Sequence, residues 1–253
     1  MDDTGRGAEA DIAGVAAAIG DPSRAKVLLA LAGGAALPAS ALAAEAGVSN
    51  STISGHLAKL REAKLLTVEL DGRHRYYRLA TTEVAAALEQ LARIAQPLPV
   101  RSLRDDTRAQ ALLRARLCYD HLAGRLGVSV MAALLDRGVL AREAPGPGAG
   151  GAGGAEPDGR AVYRLTAGGR AELAAFGVDT ERLPRRRSTV RYCVDWGEQR
   201  HHLAGPLGAA VTGRMFDLGW LRKGRARRVV HLTDAGERGL HEAFGVPAGD
   251  LSG

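Results

Sequence analysis

At 253 residues the chain could hold one large domain or two to three small ones, and a composition that is 46% hydrophobic but only 4% aromatic means cores built from Leu, Ala and Val. No apolar run is long enough to span a bilayer, and the acidic opening MDDTGRGAEAD lacks the basic-then-apolar order of a signal peptide, so a cytoplasmic protein with no membrane partner is expected. The formal charge of +6 is uneven: residues 1–100 hold 10 Lys/Arg and 11 Asp/Glu, leaving 24 against 17 of the totals of 34 and 28 for residues 101–253. Two cysteines exclude a disulfide framework and read as buried apolar residues or reactive thiols.

Residues 1–11 read as a disordered tail, and 11–32 as a helical stretch broken near Gly20-Asp21-Pro22, where Asp21 caps a second helix and Pro22 opens it. A short helix is expected over Pro38–Ala46, then a turn at Gly47-Val48-Ser49, then a second helix capped by Ser49 or Asn50. Ile53, Leu57 and Leu60 fall at i, i+4 and i+7, one buried stripe. The opposite face carries Ser51, Thr52, Ser54, Gly55, Ala58 and Lys59, short and polar enough to enter a major groove. Beyond Leu65-Leu66, Asp71-Gly72 stands between the strand-like runs Thr67–Leu70 and Arg73–Leu79, a hairpin signal. Its tip carries Arg73, His74 and Arg75, where positive charge would meet a sugar-phosphate backbone. Residues 49–78 hold 6 basic and 3 acidic side chains, so this stretch is locally positive. The expected partner is double-stranded DNA, with Ser49, Asn50, Ser51, Thr52, Ser54, Gly55 and His56 on the reading helix, Lys59 on phosphate, and Arg73, His74 and Arg75 on the wing.

The run Ile19-Gly20-Asp21-Pro22-Ser23-Arg24, the helix-turn-helix, and Gly72-Arg73-His74-Arg75-Tyr76-Tyr77-Arg78-Leu79 together resemble the ArsR/SmtB family of winged-helix repressors over about residues 12–95. The resemblance implies a homodimer on an inverted-repeat operator, released by an effector. Metal-sensing members carry paired cysteines in the first helix of the motif, where this chain has Ala39, Ser40, Ala41 and Leu42, so that thiolate site is absent. A helix is expected over Thr82–Ala95 with Val84, Leu88, Leu91 and Ala95 on one side, which the resemblance makes a dimer seam with the first helix. Residues 96–100 read as a linker.

Beyond Val100 the sequence repeats. Arg116-Leu-Cys118-Tyr-Asp120, His121-Leu-Ala-Gly124 and Tyr163-Arg-Leu-Thr166 return as Arg191-Tyr-Cys193-Val-Asp195, His202-Leu-Ala-Gly205 and Val230-His-Leu-Thr233. Each copy is read as helix, Gly-Leu stop, strand ending in Leu-Thr, then helix, with no room for a full second reading helix. Residues 101–180 form repeat 1, with a flexible Gly/Pro loop at 144–158, and 181–253 form repeat 2. The expected fold class is α+β, mainly helical: a winged helix-turn-helix followed by two tandem degenerate winged-helix-like repeats. The basic runs Arg182–Arg187 and Arg222–Arg228 read as surface or as auxiliary phosphate contacts.

Cys118, Asp120 and His121 recur as Cys193, Asp195 and His202, residue types that bind a divalent metal or place a reactive thiol near arginine. Core packing is the competing reading, and the Asp-to-His spacing differs between copies. No cofactor is certain; a divalent metal, a small molecule or a redox change is the candidate effector. A Cys-His hydrolase lacks a strand-to-helix nucleophile turn, so no enzyme is expected. An architectural DNA-binding protein would show weak sequence preference and no effector response.

Overall fold

A computed structural model describes residues 9–96, 99, 102–143, 161–184 and 190–247. One unit ends at Leu88 and a second begins at Glu89.

The first unit opens with α1 (Ile12–Ile19) and α2 (Pro22–Leu31). Asp21 caps α2 by accepting from the backbone N–H groups of Ser23 and Arg24, and Pro22 fills the first turn, where no N–H is needed. Val27, Leu28 and Leu31 are fully buried beneath α3 (Ala39–Ala46) and α4 (Asn50–Glu62), meeting Leu42, Ile53, Leu57 and Leu60. Each such burial stabilises by about 1.5–3 kcal/mol relative to exposure.

Pro38 does not open α3. It lies extended in β1 (Leu37–Pro38), paired with Tyr76, because an edge strand also dispenses with its N–H. The sheet order is β1-β3-β2, with β2 at Leu66–Asp71 and β3 at His74–Leu79. The hairpin turn is one residue later than expected: Asp71 pairs with His74, and Gly72-Arg73 form the loop, Gly72 taking a left-handed φ of 58°. Helix α5 (Thr82–Ile94) follows. Its buried residues are Ala85, Leu88 and Glu89, whereas Leu91 of the expected seam is exposed.

The second unit contains α6 (Leu103–Arg114) and then two runs of elements in the same order. The first is β4 (Arg116–Cys118), β5 (His121–Ala123), α7 (Gly124–Asp136), β6 (Leu140–Glu143), β7 (Val162–Leu165) and α8 (Ala167–Phe176). After a 3-10 turn at Thr180–Arg182 come β8 (Arg191–Val194), β9 (His201–Ala204), α9 (Gly205–Asp217), β10 (Leu221–Lys223), β11 (Val230–Leu232) and α10 (Asp234–Phe244). Each run therefore opens on a β-hairpin, where the sequence suggested a helix. Tyr119, at φ 60°, closes the first hairpin in two residues. Helices α7 and α9 are buried on most sides, with Leu126, Val130, Met131 and Leu134 meeting Leu207, Val211 and Met215 in one core. Neither offers a groove-reading face. The Gly/Pro loop 144–158, most of the linker 96–100 and Arg185–Arg187 lie outside the described residues.

The Leu-Thr ends of both runs have a local cause. Thr166 accepts from the Gly169 N–H (2.8 Å) and donates to the Gly138 carbonyl (2.7 Å). Thr233 does the same with Gly236 (3.0 Å) and Gly219 (2.8 Å). Each hydroxyl caps a helix and ties it to the end of the preceding one. A Cβ on Gly169 would overlap the Val139 carbonyl, whereas one on the neighbouring Gly168 meets nothing within 4 Å. Both changes to Ala favour the helical state by up to about 1 kcal/mol. At Gly169 the backbone overlap reverses the sign, at about 1–3 kcal/mol. Urea unfolding should therefore show a raised midpoint for Gly168→Ala and a lowered one for Gly169→Ala.

Candidate functional site

Among the described residues two groups of side chains carry chemistry, one in each unit. In the first, Gly47 ends α3 in the left-handed conformation and Ser49 starts α4, its hydroxyl accepting from the Thr52 N–H at 3.2 Å. Ser49, Asn50, Ser51, Thr52, Ser54, Gly55 and Lys59 are all exposed along α4. The hydroxyls are held locally: Ser49 Oγ lies 2.8 Å from both Ser51 Oγ and Thr52 Oγ1, and Ser54 donates to the Asn50 carbonyl. His56 differs from these. It is half-buried, with Nδ1 3.7 Å from the Asp21 carboxylate that caps α2. Arg73, His74 and Arg75 stand exposed at the hairpin tip.

In the second unit, the hairpins β4–β5 and β8–β9 present the same cross-strand pair. Cys118 lies opposite His121, and Cys193 opposite His202. The unequal Asp-to-His spacing in sequence is absorbed by hairpin loops of different length. Directly opposed residues project to one face, so each hairpin offers a thiol and an imidazole together. The four ligand atoms lie within 4.8 Å of one another, and the imidazole rings are 5.3 Å apart between centroids. Close approach is possible because Gly127 and Gly208 sit against the other run's histidine, His202 and His121 respectively.

The two aspartates of the repeated block do not join this cluster; each stands behind a histidine. Asp120 is on the surface, its Oδ1 3.1 Å from His121 Nδ1. Asp195 is fully buried, with Oδ2 3.8 Å from His202 Nδ1. Its oxygens also accept from the N–H groups of Gly124 (2.7 Å), Gly197 (2.9 Å) and Glu198 (3.0 Å), and from Arg116 (2.8 Å). That fills a carboxylate's acceptor sites. Neighbouring His201 turns away, with Nδ1 2.7 Å from the Tyr163 hydroxyl and its ring stacked on Tyr192. Nε2 of His121 and both ring nitrogens of His202 are buried without a hydrogen-bond partner.

Burial drives the His121 imidazole toward neutrality, but the Asp120 carboxylate and the neighbouring Cys118 thiol outweigh it and hold its pKa up at about 9. For His202 burial dominates, joined by the positive His121, and the pKa falls to about 3. The closeness of the two thiols pushes Cys118 well up, together with burial, and draws Cys193 down against burial. Burial likewise opposes the Asp195 carboxylate, yet the Arg116 guanidinium and the Glu198 and Gly124 N–H groups keep its pKa below the ordinary carboxylate value.

Three further residues surround this cluster, and the sequence had not singled out Glu89 among them. Arg116 and Glu89 are both buried; Arg116 bonds Glu89 at 3.2 Å and lies over the Trp196 ring at 4.4 Å. Arg228 closes on the other Glu89 oxygen and donates to the Leu117 carbonyl at 2.9 Å. Arg228 is therefore held inside and is not a surface or phosphate-contacting residue. Arg182, of the other basic run, is exposed and paired with Asp179 at 3.1 Å. Glu89 had one sequence signal: it lies beside Ala85 and Leu88 on the buried stripe of an amphipathic helix.

A helix-turn-helix domain family matches residues 19–69. An uncharacterized HTH-type transcriptional regulator of Bacillus subtilis, YdfF, is 37% identical over 228 residues, covering 90% of this chain and 94% of the relative. The HTH-type transcriptional regulator CmtR of Mycobacterium tuberculosis is 36% identical over 86 residues, 34% of this chain and 72% of that protein. Among solved structures, that of the cadmium metal-sensor CmtR from M. tuberculosis is similar at 33% identity over 36% of this chain and all of its own, with a TM-score of 0.29.

The charge cluster makes a stability prediction. Arg116→Met removes the cation and leaves two buried carboxylates, which should cost about 3–5 kcal/mol. Arg182→Met, which breaks an exposed pair, should cost no more than about 1 kcal/mol. Denaturant midpoints of the two variants measure the difference.

Proposed function

Because this chain belongs to the ArsR-type family of helix-turn-helix transcriptional regulators, we propose that it is a homodimeric repressor that holds an inverted-repeat operator and releases it in response to an effector. The observation that carries the reading is the exposed row of short polar side chains on α4, in the same unit as a wing tip bearing Arg73, His74 and Arg75. Helix α4 enters the major groove with Ser51, Thr52 and Ser54 toward base edges, and Lys59 and the wing arginines hold phosphates. His56, turned toward Asp21, contributes less than its neighbours. The dimer reading is supported by exposed apolar side chains: α1 buries none of its residues and exposes Ile12 and Val15, and α5 exposes Leu91 and Ile94. A two-fold pair would set two α4 helices about 34–36 Å apart on one face of DNA.

The second unit is assigned an effector-sensing role and no catalysis. The Cys118 thiol is buried and pushed up, unsuited to a nucleophile; Cys193 is half-buried and drawn down, and its assignment to sensing rests on the ligand cluster it forms with Cys118, His121 and His202. No helix among the described residues is long and apolar enough to cross a membrane. A repressor works where the chromosome is, so we place the protein in the cytoplasm.

Fluorescence anisotropy on DNA from upstream of the protein's own gene, against a scrambled duplex at two salt concentrations, tests the reading. The native duplex should bind tighter by at least about 10³-fold. Thr52→Ala with Ser54→Ala should remove most of that preference, and Arg73→Ala with Arg75→Ala should weaken both duplexes and flatten the salt slope by about 2. Operator preference that survives the α4 double variant would show that another surface reads the DNA.

A further inference from the structure

We propose that Cys118, His121, Cys193 and His202 form a four-ligand site for a divalent transition metal of the zinc class. The ligand set rests on the geometry of the cluster alone; only its regulatory consequence rests on the repressor reading above.

Zinc–sulfur and zinc–nitrogen bonds imply tetrahedron edges of about 3.3–3.8 Å. The four ligand atoms, none more than 4.8 Å from another, come within about an ångström of that closure at their widest. The set is two thiols and two imidazoles, the softness and number that a tetrahedral zinc-class ion takes, and it lacks the oxygens that magnesium or calcium needs.

The histidines argue against plain core packing. A buried polar atom without a partner costs about 1–3 kcal/mol, yet His121 Nε2 and both nitrogens of His202 are in that position. Leucine would fill the same space at no such cost. For His202 the Asp195 carboxylate is only a neighbouring charge at 3.8 Å, whereas His121 has a carboxylate on Nδ1, Asp120 at 3.1 Å, which leaves its Nε2 as the atom offered to the centre. Metal-bound histidines are oriented in this way by an acceptor on the other ring nitrogen.

Charge balance agrees. Binding displaces one proton from each thiol and the proton that the His121 imidazolium carries, and two thiolates with two neutral imidazoles around a divalent ion then make a neutral centre, which a buried site can hold. Four protein ligands leave no open position, so the centre is a sensing or bracing one and not catalytic. It joins β4–β5 to β8–β9. Arg116 lies two residues before Cys118 on β4, and Asp195 two residues after Cys193, so contraction about a metal acts on the same strands that hold the Arg116–Asp195 and Arg116–Glu89 pairs.

The test uses the full chain, reduced and stripped of metal, titrated with Co(II) in the absence of DNA. The expected result is a thiolate-to-cobalt band in the near ultraviolet with strong visible bands of tetrahedral cobalt, saturating at one ion per chain and bleached by Zn(II). Cys118→Ser and Cys193→Ser should each lose the tetrahedral signature, with far-ultraviolet dichroism reporting whether they fold. Asp120→Asn, on the surface and sparing all four ligands, should bind roughly 10–100-fold more weakly. The absence of a thiolate band in the folded wild-type chain, or unchanged cobalt binding by both cysteine variants, would overturn the site. So would a Cys118–Cys193 disulfide formed readily by a mild oxidant in a chain that gives no cobalt spectrum, an outcome that transfers the cluster to redox sensing. Since no DNA is present, failure of operator binding cannot be mistaken for failure of the metal site.

Discussion

Arg116 is the constraint on which the second unit depends. Its guanidinium is fully buried and bridges two buried carboxylates, Asp195 at 2.8 Å and Glu89 at 3.2 Å, while Arg228 neutralises the remaining charge on Glu89. Two cations and two anions cancel, which makes the burial tolerable but not necessarily stabilising relative to an apolar core. What such a cluster provides is a single arrangement: Asp195 must be where Arg116, Gly124 and Glu198 can all reach it. Asp195 in turn lies behind His202, so the geometry of the thiol–imidazole cluster depends on the charges beside it.

The first unit was legible because its determinants are local. Asp21-Pro22 start a helix, Gly47 ends one, Ser49 starts the next, and a stripe at i, i+4, i+7 selects its buried face. Each of these acts within a turn or two of chain, so the sequence displays it. The Asp-Gly pair alone points to a turn one residue too early, because pairing across the sheet holds Asp71 in strand register with His74. Local propensity suits Pro38 to the first turn of a helix, but its pairing with Tyr76 prevails.

The second unit was legible only as a repetition. The repeated Cys and His were visible, but the hairpins that set them face to face were not, because Arg-Leu-Cys and His-Leu-Ala are too short to show a period. Asp120 and Asp195 looked equivalent, yet one faces solvent and the other is saturated with donors; only the surroundings distinguish them. Arg228 looked like part of a basic surface run and proved to be the buried partner of an acid 139 positions away in sequence. Long-range pairing of this kind leaves little trace in one sequence.

A repressor of this design would read DNA with one unit and an ion with the other. In such a repressor, occupancy of the thiol–imidazole cluster changes operator affinity. The direct measurement is anisotropy of one reduced preparation on operator DNA with and without saturating Zn(II), repeated for Cys118→Ser. The account predicts that zinc weakens operator binding by about 5–150-fold in the wild-type chain, that operator weakens zinc binding by the same factor, and that the variant does not respond. Operator affinity that stays the same with zinc demonstrably bound would contradict it.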